Sequence, residues 1–254
     1  MAAGADSMTP ERPPPSGFCD LHCHLLPGVD DGARTLEDSV EMGRALWELG
    51  FRAVAPSPHA RPECAPAALA LERLEEVRRA LAAAGVPLEL HRNAENDLVG
   101  DRFLEDVATA RGRRLGEGRY VLVEAPYTSP VPRLPELIFA MTVKGVTPLF
   151  AHPERCAEFQ RPGRPAEAVA AGALLQLDLG ALTGRYGKQA RKVAESCLEQ
   201  GLYAVAATDL HSPNGAREWV GEAMAALRAR TGEREAGALL GERPFRLLRG
   251  EPPG

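Results

Sequence analysis

Asp20-Leu21-His22-Cys23-His24 follows a short apolar segment and leads into a turn-forming sequence, Leu25-Leu26-Pro27-Gly28-Val29-Asp30-Asp31-Gly32. Side chains alternate along a β-strand, so a strand that ends here points His22 and His24 to the same side. The proline and glycines that follow favour a tight turn, which returns Asp30 and Asp31 to the strand end. Two imidazoles and a carboxylate can together bind one metal ion, although an H-x-H pair alone is also compatible with two satisfied polar side chains.

The composition is that of a soluble globular protein. The chain has 254 residues, of which 44% are hydrophobic and 26% charged, enough for one large core. A net charge of -5 argues against nucleic-acid binding, which needs a basic face. Neither an apolar run of about 20 residues nor a signal peptide is seen, so we expect a cytoplasmic protein without membrane insertion. The five cysteines lack a C-x-x-C pair and are expected to be reduced core thiols.

Strand-like and helix-like segments alternate about seven times after the first strand. This order predicts a single-domain α/β fold, a distorted (β/α)7 TIM-like barrel of parallel strands over 18–249. The Pro-rich residues 1–17 are predicted to be a disordered leader, and 250–254 a tail. Strands are predicted at 18–21, 51–55, 88–91, 120–125, 147–151, 174–179 and 203–208. Helices are predicted at 36–49, with Thr35 as N-cap, and at 65–84, 101–110, 134–143, 166–171, 187–200 and 216–230.

Polar residues of metal-ligand type sit just after these predicted strands. They include five of the six histidines and three acidic residues: His22, His24, His59, His152, His211, Glu95, Glu124 and Asp209. The carboxyl ends of barrel strands meet on one face, so these side chains should lie together. Each alone could be a solvated loop residue or a helix cap, but jointly they predict a multinuclear metal site. Mixed histidine and carboxylate ligands suit Mn, Fe or Zn. We expect His91, the sixth histidine, to be structural or to support a ligand.

The ordered motifs of the chain resemble those of a known superfamily. They are Asp20-Leu21-His22-Cys23-His24 with its Asp30-Asp31-Gly32 turn, Pro58-His59, Asn93-Ala94-Glu95, Val123-Glu124, Ala151-His152-Pro153-Glu154-Arg155 and Thr208-Asp209-Leu210-His211. This set is similar to that of the polymerase-and-histidinol-phosphatase (PHP) superfamily. The closest resemblance is to the bacterial tyrosine-protein phosphatases of capsule and exopolysaccharide loci, the CpsB/YwqE type. The resemblance covers residues 18–249, but departs from the usual Gly-x-Glu at Asn93-Ala94-Glu95 and in the Pro-rich leader.

The resemblance implies a site with three divalent metal ions, manganese above all, with iron or zinc as alternatives. The implied ligand sets are His22, His24, Glu95 and Asp209; Glu95, Glu124 and His152; and Asp31, His59 and His211. Arg155 matches the family's phosphate-contacting arginine, and Arg217 is the candidate for a second. Asp209 or a metal-bound water is the candidate proton donor.

The same resemblance implies a metal-dependent phosphomonoesterase acting on phosphotyrosine in protein. Its implied partner is an autophosphorylating bacterial tyrosine kinase that controls polysaccharide export. A small-molecule phosphatase of the histidinol-phosphate kind and a non-catalytic PHP scaffold are the alternatives. A cysteine-nucleophile tyrosine phosphatase is excluded because no cysteine begins a C-x5-R loop: the residues six positions after the cysteines are Leu25, Val29, Ala70, Pro162 and Tyr203.

Overall fold

The computed structural model describes residues 16–61, 63–98, 103–109 and 113–254, which form eight short strands. The first fifteen residues of the predicted leader lie outside this range. In chain order the strands β1 to β8 are Phe18–Asp20, Phe51–Val54, Glu89–Leu90, Glu95–Asp97, Tyr120–Glu124, Thr147–Phe150, Leu174–Asp178 and Tyr203–Ala207. All the pairings are parallel, which confirms the predicted α/β class.

The strands are divided between two sheets, ordered β1-β2-β3 and β4-β5-β6-β7-β8. Two isolated parallel bridges join the sheets: Cys23 pairs with Leu210, and His59 pairs with Glu95. Both bridges involve candidate ligands or their chain neighbours, so the barrel closes at its functional end. The sequence did not predict β4, because the polar segment Glu95–Asp97 has no apolar residue.

Helices follow the strands, and all but the last of them cover the outside of the barrel. In chain order α1 to α8 are Leu36–Glu48, Ala67–Ala83, Phe103–Thr109, Leu134–Val143, Arg164–Ala170, Gly187–Glu199, Ala216–Gly237 and Arg243–Leu248. Short 3-10 helices lie at Pro153–Arg155 and Leu179–Thr183, and a π-helical turn at Ala238–Glu242. Because β3 and β4 share α3, seven strand-helix units result, as predicted. None of the helices in the described part of the chain has the length and apolar content needed to cross a membrane.

The start of α1 shows how local sequence sets an element. The Thr35 hydroxyl accepts from the backbone of Asp38, and the Asp38 carboxylate accepts from the backbone of Thr35. This reciprocal capping box satisfies two backbone donors at the helix start and confirms the predicted N-cap. Gly50, at φ 99°, follows the helix in a conformation that favours glycine and turns the chain into β2.

The core has two layers, because strand side chains alternate between the barrel interior and the helices. In β5, Tyr120 and Leu122 belong to the inner cluster, whereas Val121 and Val123 belong to the outer one. Phe245 and Leu247 of α8 complete the inner cluster. The predicted tail contacts this region, since the Tyr120 hydroxyl donates to the Glu251 carbonyl over 2.8 Å. The candidate ligands follow the other ends of the strands.

Candidate metal centre

His22 and His24 leave β1 with their Nε2 atoms 3.3 Å apart, and both side chains are buried. The Nδ1 of His22 donates to Oε1 of Gln176 over 2.8 Å, and that of His24 donates to Oδ2 of Asp30 over 2.8 Å. A proton held on Nδ1 leaves the Nε2 lone pair free, and such bonds orient metal-binding imidazoles. The two Nε2 atoms are therefore arranged as ligands converging on one point.

The aspartates of the turn after β1 have different roles. Asp30 accepts bonds from the backbone amides of Gly32 over 3.0 Å and His59 over 3.1 Å, as well as from His24. Asp31 is largely exposed, and its Oδ1 lies 3.5 Å from Nε2 of both His59 and His211. Asp30 thus fixes the geometry of the turn, and Asp31 is the carboxylate available to an ion.

Gly32 is required by the close approach of this turn to β1. A Cβ atom at this position would lie 2.2 Å from the carbonyl oxygen of His24, far inside van der Waals contact. The amide of Ala33 donates to that same carbonyl over 3.0 Å. The glycine therefore allows the aspartates to reach the histidines.

Glu95, the first residue of β4, lies at the centre of the site. Its Oε1 is 2.9 Å from Nε2 of His152, and its Oε2 is 3.1 Å from Nδ1 of His59 and 3.4 Å from Nε2 of His22. Burial alone would raise its pKa, but the histidines, His22 foremost, hold the pKa well below the usual range. Glu95 is consequently an ionised carboxylate that faces histidines from three strand ends.

His152 and Asp209 have positive φ angles of 29° and 51°, which are rare for residues other than glycine. Such strained backbone persists where the surrounding structure holds it, commonly at functional sites. Here the amide of Asp209 donates to the carbonyl of His22 over 2.8 Å. The strain aims the Asp209 carboxylate inwards, where Oδ1 lies 3.1 Å from Nε2 of His22 and 3.4 Å from Nε2 of His24.

All nine predicted metal ligands come together in the structure. Their ligand atoms form four groups, within each of which the atoms lie within 4.8 Å of one another: His24, Asp31, His59 and His211; His22, His24 and Asp209; His22, Glu95 and His152; and His59, Glu95 and Glu124. The grouping differs from the implied sets. His24 joins the Asp31 group, and His22 rather than Glu124 accompanies Glu95 and His152. Glu95 is not grouped with His22, His24 and Asp209, and Glu124 lies instead with His59 and Glu95.

The buried polar atoms of the site fit bound cations. Nδ1 of His59, Oε1 of Glu124 and Oδ1 of Asp209 are buried without a hydrogen-bond partner. Leaving such atoms unpaired is costly, and a coordinated ion would compensate them. Burial would lower the pKa of His22, but Glu95 and Asp209 raise it to about 9. Burial and the neighbouring Glu95 raise the pKa of Glu124 to about 7. Because its donors are histidine nitrogens and carboxylate oxygens, the cluster suits divalent metals that accept both kinds of ligand.

Arg155 contacts this cluster from the 3-10 helix after β6. Its Nη1 lies 2.5 Å from Oδ2 of Asp209 and 3.2 Å from Oδ2 of Asp178. The guanidinium carbon also lies 5.0 Å from the ring centre of Tyr127 and 4.2 Å from that of Tyr186. Two carboxylates and two rings thus hold the guanidinium beside the candidate ligands.

Arg217, the second predicted phosphate contact, lies elsewhere. It lies in the first turn of α7, where its guanidinium pairs with Glu48 over 2.5 Å and Glu41 over 2.8 Å on α1. Among the described residues, its ion pairs are with these helix carboxylates and not with the candidate ligands. The structure therefore does not bring Arg217 into the cluster, because its side chain bridges two outer helices.

The site contains residues that the sequence analysis did not single out. Gln176 and Asp178 lie within the strand predicted at 174–179, so a rule that selects polar residues just after the strands does not find them. Arg61, two residues after His59, pairs with Glu124 and lies 2.6 Å from Asp97. Tyr127 follows β5 in a loop, and no spacing signal indicated it.

Histidines and carboxylates at the strand ends of a parallel barrel define a class, the α/β-barrel hydrolases of the metal-dependent type. The sequence profile of the family described as "Capsular polysaccharide synthesis, CpsB/CapC" matches residues 18–249. The chain belongs to this family.

Relatives and solved structures agree with that membership. Tyrosine-protein phosphatase YwqE of Bacillus subtilis is 32% identical over 237 residues, which cover 91% of this chain and 92% of YwqE. Among solved structures, those of YwqE and of CpsB from Streptococcus pneumoniae are described as unique metal-dependent tyrosine phosphatases. One of these structures matches with a TM-score of 0.85 at 29% identity, and the match covers 92% of this chain and 95% of the chain in that structure. An organophosphorus hydrolase from Deinococcus radiodurans, at TM-score 0.57 and 15% identity over 91% and 93% of the two chains, shares the fold alone.

Proposed function

We propose that this chain is a metal-dependent phosphomonoesterase that hydrolyses phosphotyrosine in protein. The observation that carries the proposal is the contact of Arg155 with Asp209, which sets a phosphate-binding group directly beside the candidate metal ligands. Guanidinium forks match phosphate oxygens two at a time. Membership of the CpsB/CapC family and the similarity to YwqE support the same activity.

The candidate ligands would hold three divalent ions, with manganese the best match and iron or zinc also compatible with the donors. His22, His24, Glu95 and Asp209 would hold the first, Glu95, Glu124 and His152 the second, and Asp31, His59 and His211 the third. Bound divalent ions supply an activated water at neutral pH and offset phosphoryl charge.

The remaining chemistry belongs to side chains. Arg155 would bind the phosphate oxygens and neutralise the charge that develops on them during displacement. Burial would raise the pKa of Asp209, but His22 and the other imidazoles hold it well below its usual range. Asp209 is then an ionised ligand that orients Arg155 rather than a proton donor. A phenol has a pKa of about 10 and leaves with little protonation, so no dedicated acid is required.

The proposed partner is an autophosphorylating tyrosine kinase that regulates capsule or exopolysaccharide synthesis in the cytoplasm. The support for this partner is the capsular description of the family. A phosphotyrosine segment of such a kinase would present its phosphate to Arg155 at the open face of the site.

The test measures the hydrolysis of three phosphate monoesters by metal-free protein and by metal-loaded protein. Hydrolysis of a phosphotyrosine peptide that appears only on adding Mn²⁺ supports the proposal. Preference for histidinol phosphate would instead identify a small-molecule phosphatase. Metal binding without hydrolysis of the peptide, histidinol phosphate or phenyl phosphate would identify a scaffold.

A further inference from the structure

Tyr127 is a half-exposed aromatic residue at the edge of the candidate metal centre. It follows β5 by three residues, and 41% of its surface is accessible. Among the described residues, the other exposed large hydrophobic side chains are Phe139 and Val143, both on the outer helix α4. Among these three exposed side chains, Tyr127 is therefore the one beside the candidate metal centre, next to Arg155, which would bind phosphate.

The position of this ring is fixed from three directions. Its centre lies 5.7 Å from that of His152, at an interplanar angle of 31°, and 5.0 Å from the Arg155 guanidinium carbon. Its hydroxyl is adjacent to the Glu124 carboxylate. The ring is thus held in place before any substrate arrives, and its accessible surface borders the phosphate position.

We propose that Tyr127 determines specificity for aryl phosphates by packing against the phenyl ring of phosphotyrosine. This inference rests on the proposed function. In an aryl phosphate, a single oxygen joins the aromatic ring to phosphorus. When Arg155 binds the phosphate group of such a substrate, the aromatic ring of the substrate therefore lies close to Tyr127. Aromatic pairs favour offset or edge-to-face contact at centre distances of about 4.5–7 Å. A phosphoserine side chain has no ring to make this contact.

Tyr186 does not serve equally well, although it is nearer to Arg155. Its hydroxyl is adjacent to the buried Asp178 carboxylate, and its ring is less exposed than that of Tyr127. Tyr186 and Asp178 therefore hold Arg155 in position, whereas Tyr127 has the free surface that a substrate ring needs.

The experiment measures binding to the Mn²⁺-loaded protein of two non-hydrolysed probes, phenylphosphonate and inorganic phosphate. Three variants are compared: Tyr127→Phe keeps the ring, Tyr127→Leu keeps apolar volume without a ring, and Phe139→Ala removes an exposed ring outside the site. We expect Tyr127→Leu to weaken phenylphosphonate binding by roughly two- to tenfold relative to phosphate, the range of one aromatic contact. Tyr127→Phe and Phe139→Ala should leave the ratio of the two affinities within about twofold.

Equal weakening of both probes in Tyr127→Leu would overturn the inference, since Tyr127 would then act only through Glu124 and the metal site. Unchanged affinity for both probes would overturn it as well. The ratio of kcat/KM for a phosphotyrosine peptide to that for the matching phosphoserine peptide gives an independent readout, which should fall in Tyr127→Leu. If the unaltered protein hydrolyses no phosphotyrosine, the proposed function fails; if it does and the ratios do not move, only the role of Tyr127 fails.

Discussion

Arg155, the side chain predicted to bind phosphate, contacts Asp209, one of the predicted metal ligands. Nη1 of Arg155 lies 2.5 Å from Oδ2 of Asp209, while Oδ1 of the same carboxylate lies 3.1 Å from Nε2 of His22. One carboxylate thus has one oxygen directed to the arginine and the other to a histidine ligand. A phosphate bound by the Arg155 guanidinium would therefore adjoin the candidate metal ligands, as in-line displacement requires.

Replacing Arg155 should separate catalysis from metal binding. Arg155→Ala removes a preorganised donor, so we expect kcat/KM to fall roughly a hundred- to a thousandfold, equivalent to about 3 to 4 kcal/mol of transition-state stabilisation. Metal content by elemental analysis should stay unchanged, because no metal ligand is removed. A variant with full activity would remove Arg155 from the proposed mechanism.

Arg217→Ala is the matched control for that variant. The Arg217 side chain pairs with Glu41 and Glu48 on an outer helix, where partly exposed ion pairs contribute little to stability. We expect kcat/KM on phosphotyrosine peptide to stay within about twofold of the unaltered protein, within the small effects of most surface substitutions. A loss as large as that of Arg155→Ala would restore Arg217 to the phosphate-binding role that the family resemblance implies.

His59→Ala should lose metal together with activity. His59 Nδ1 faces Glu95 at 3.1 Å and its Nε2 faces Asp31 at 3.5 Å, so one imidazole adjoins two ligand groups. Without it, Asp31 and His211 of the proposed third site hold an ion poorly, and metal per chain should fall by about one ion. His91→Ala is the control, since His91 lies beside Glu89 and outside the ligand groups. Unchanged metal content in His59→Ala would contradict its assignment as a ligand.

Chelation should abolish phosphatase activity, whereas thiol alkylation should leave it nearly unchanged. Exhaustive chelation should abolish hydrolysis, and Mn²⁺ should restore it. The cysteines are poor nucleophiles in the folded protein, because burial raises the pKa of every one of them, that of Cys197 to about 12. Iodoacetamide at pH 7 should therefore leave activity nearly intact. Full activity in rigorously metal-free protein, measured alongside, would disprove the metal-dependent mechanism.

Gly32→Ala should damage both stability and the site. The added Cβ would lie 2.2 Å from the His24 carbonyl oxygen, so the turn or β1 must move. Overpacking of this kind costs about 1 to 3 kcal/mol of unfolding free energy. Gly237→Ala is the matched control: a Cβ there meets nothing within 4 Å, and its backbone is helical. Denaturant unfolding should show a lower midpoint for the first variant alone, and metal titration should show weaker binding.

Much of the candidate site could be predicted because the chain repeats one unit. Parallel strands joined by helices bring their carboxyl ends to one face, so His22, His152 and Asp209 could be placed together without any distance information. Strand β4 could not be predicted in this way. It forms from the polar residues Glu95–Asp97 because β5 supplies backbone partners on one side, and tertiary pairing overrides local preference.

By itself, the sequence determined the barrel class and the nine candidate ligands, because strand alternation and residue type are local properties of the chain. Only the tertiary structure decided how the candidate ligands group, since His22, His24, His59 and Glu95 each belong to two groups through distances across strands. It also decided that Arg155 faces Asp209 while Arg217 faces α1, although both are arginines close to a family motif. The direction of a long side chain depends on carboxylates brought near by the fold, and their positions are not encoded in local spacing.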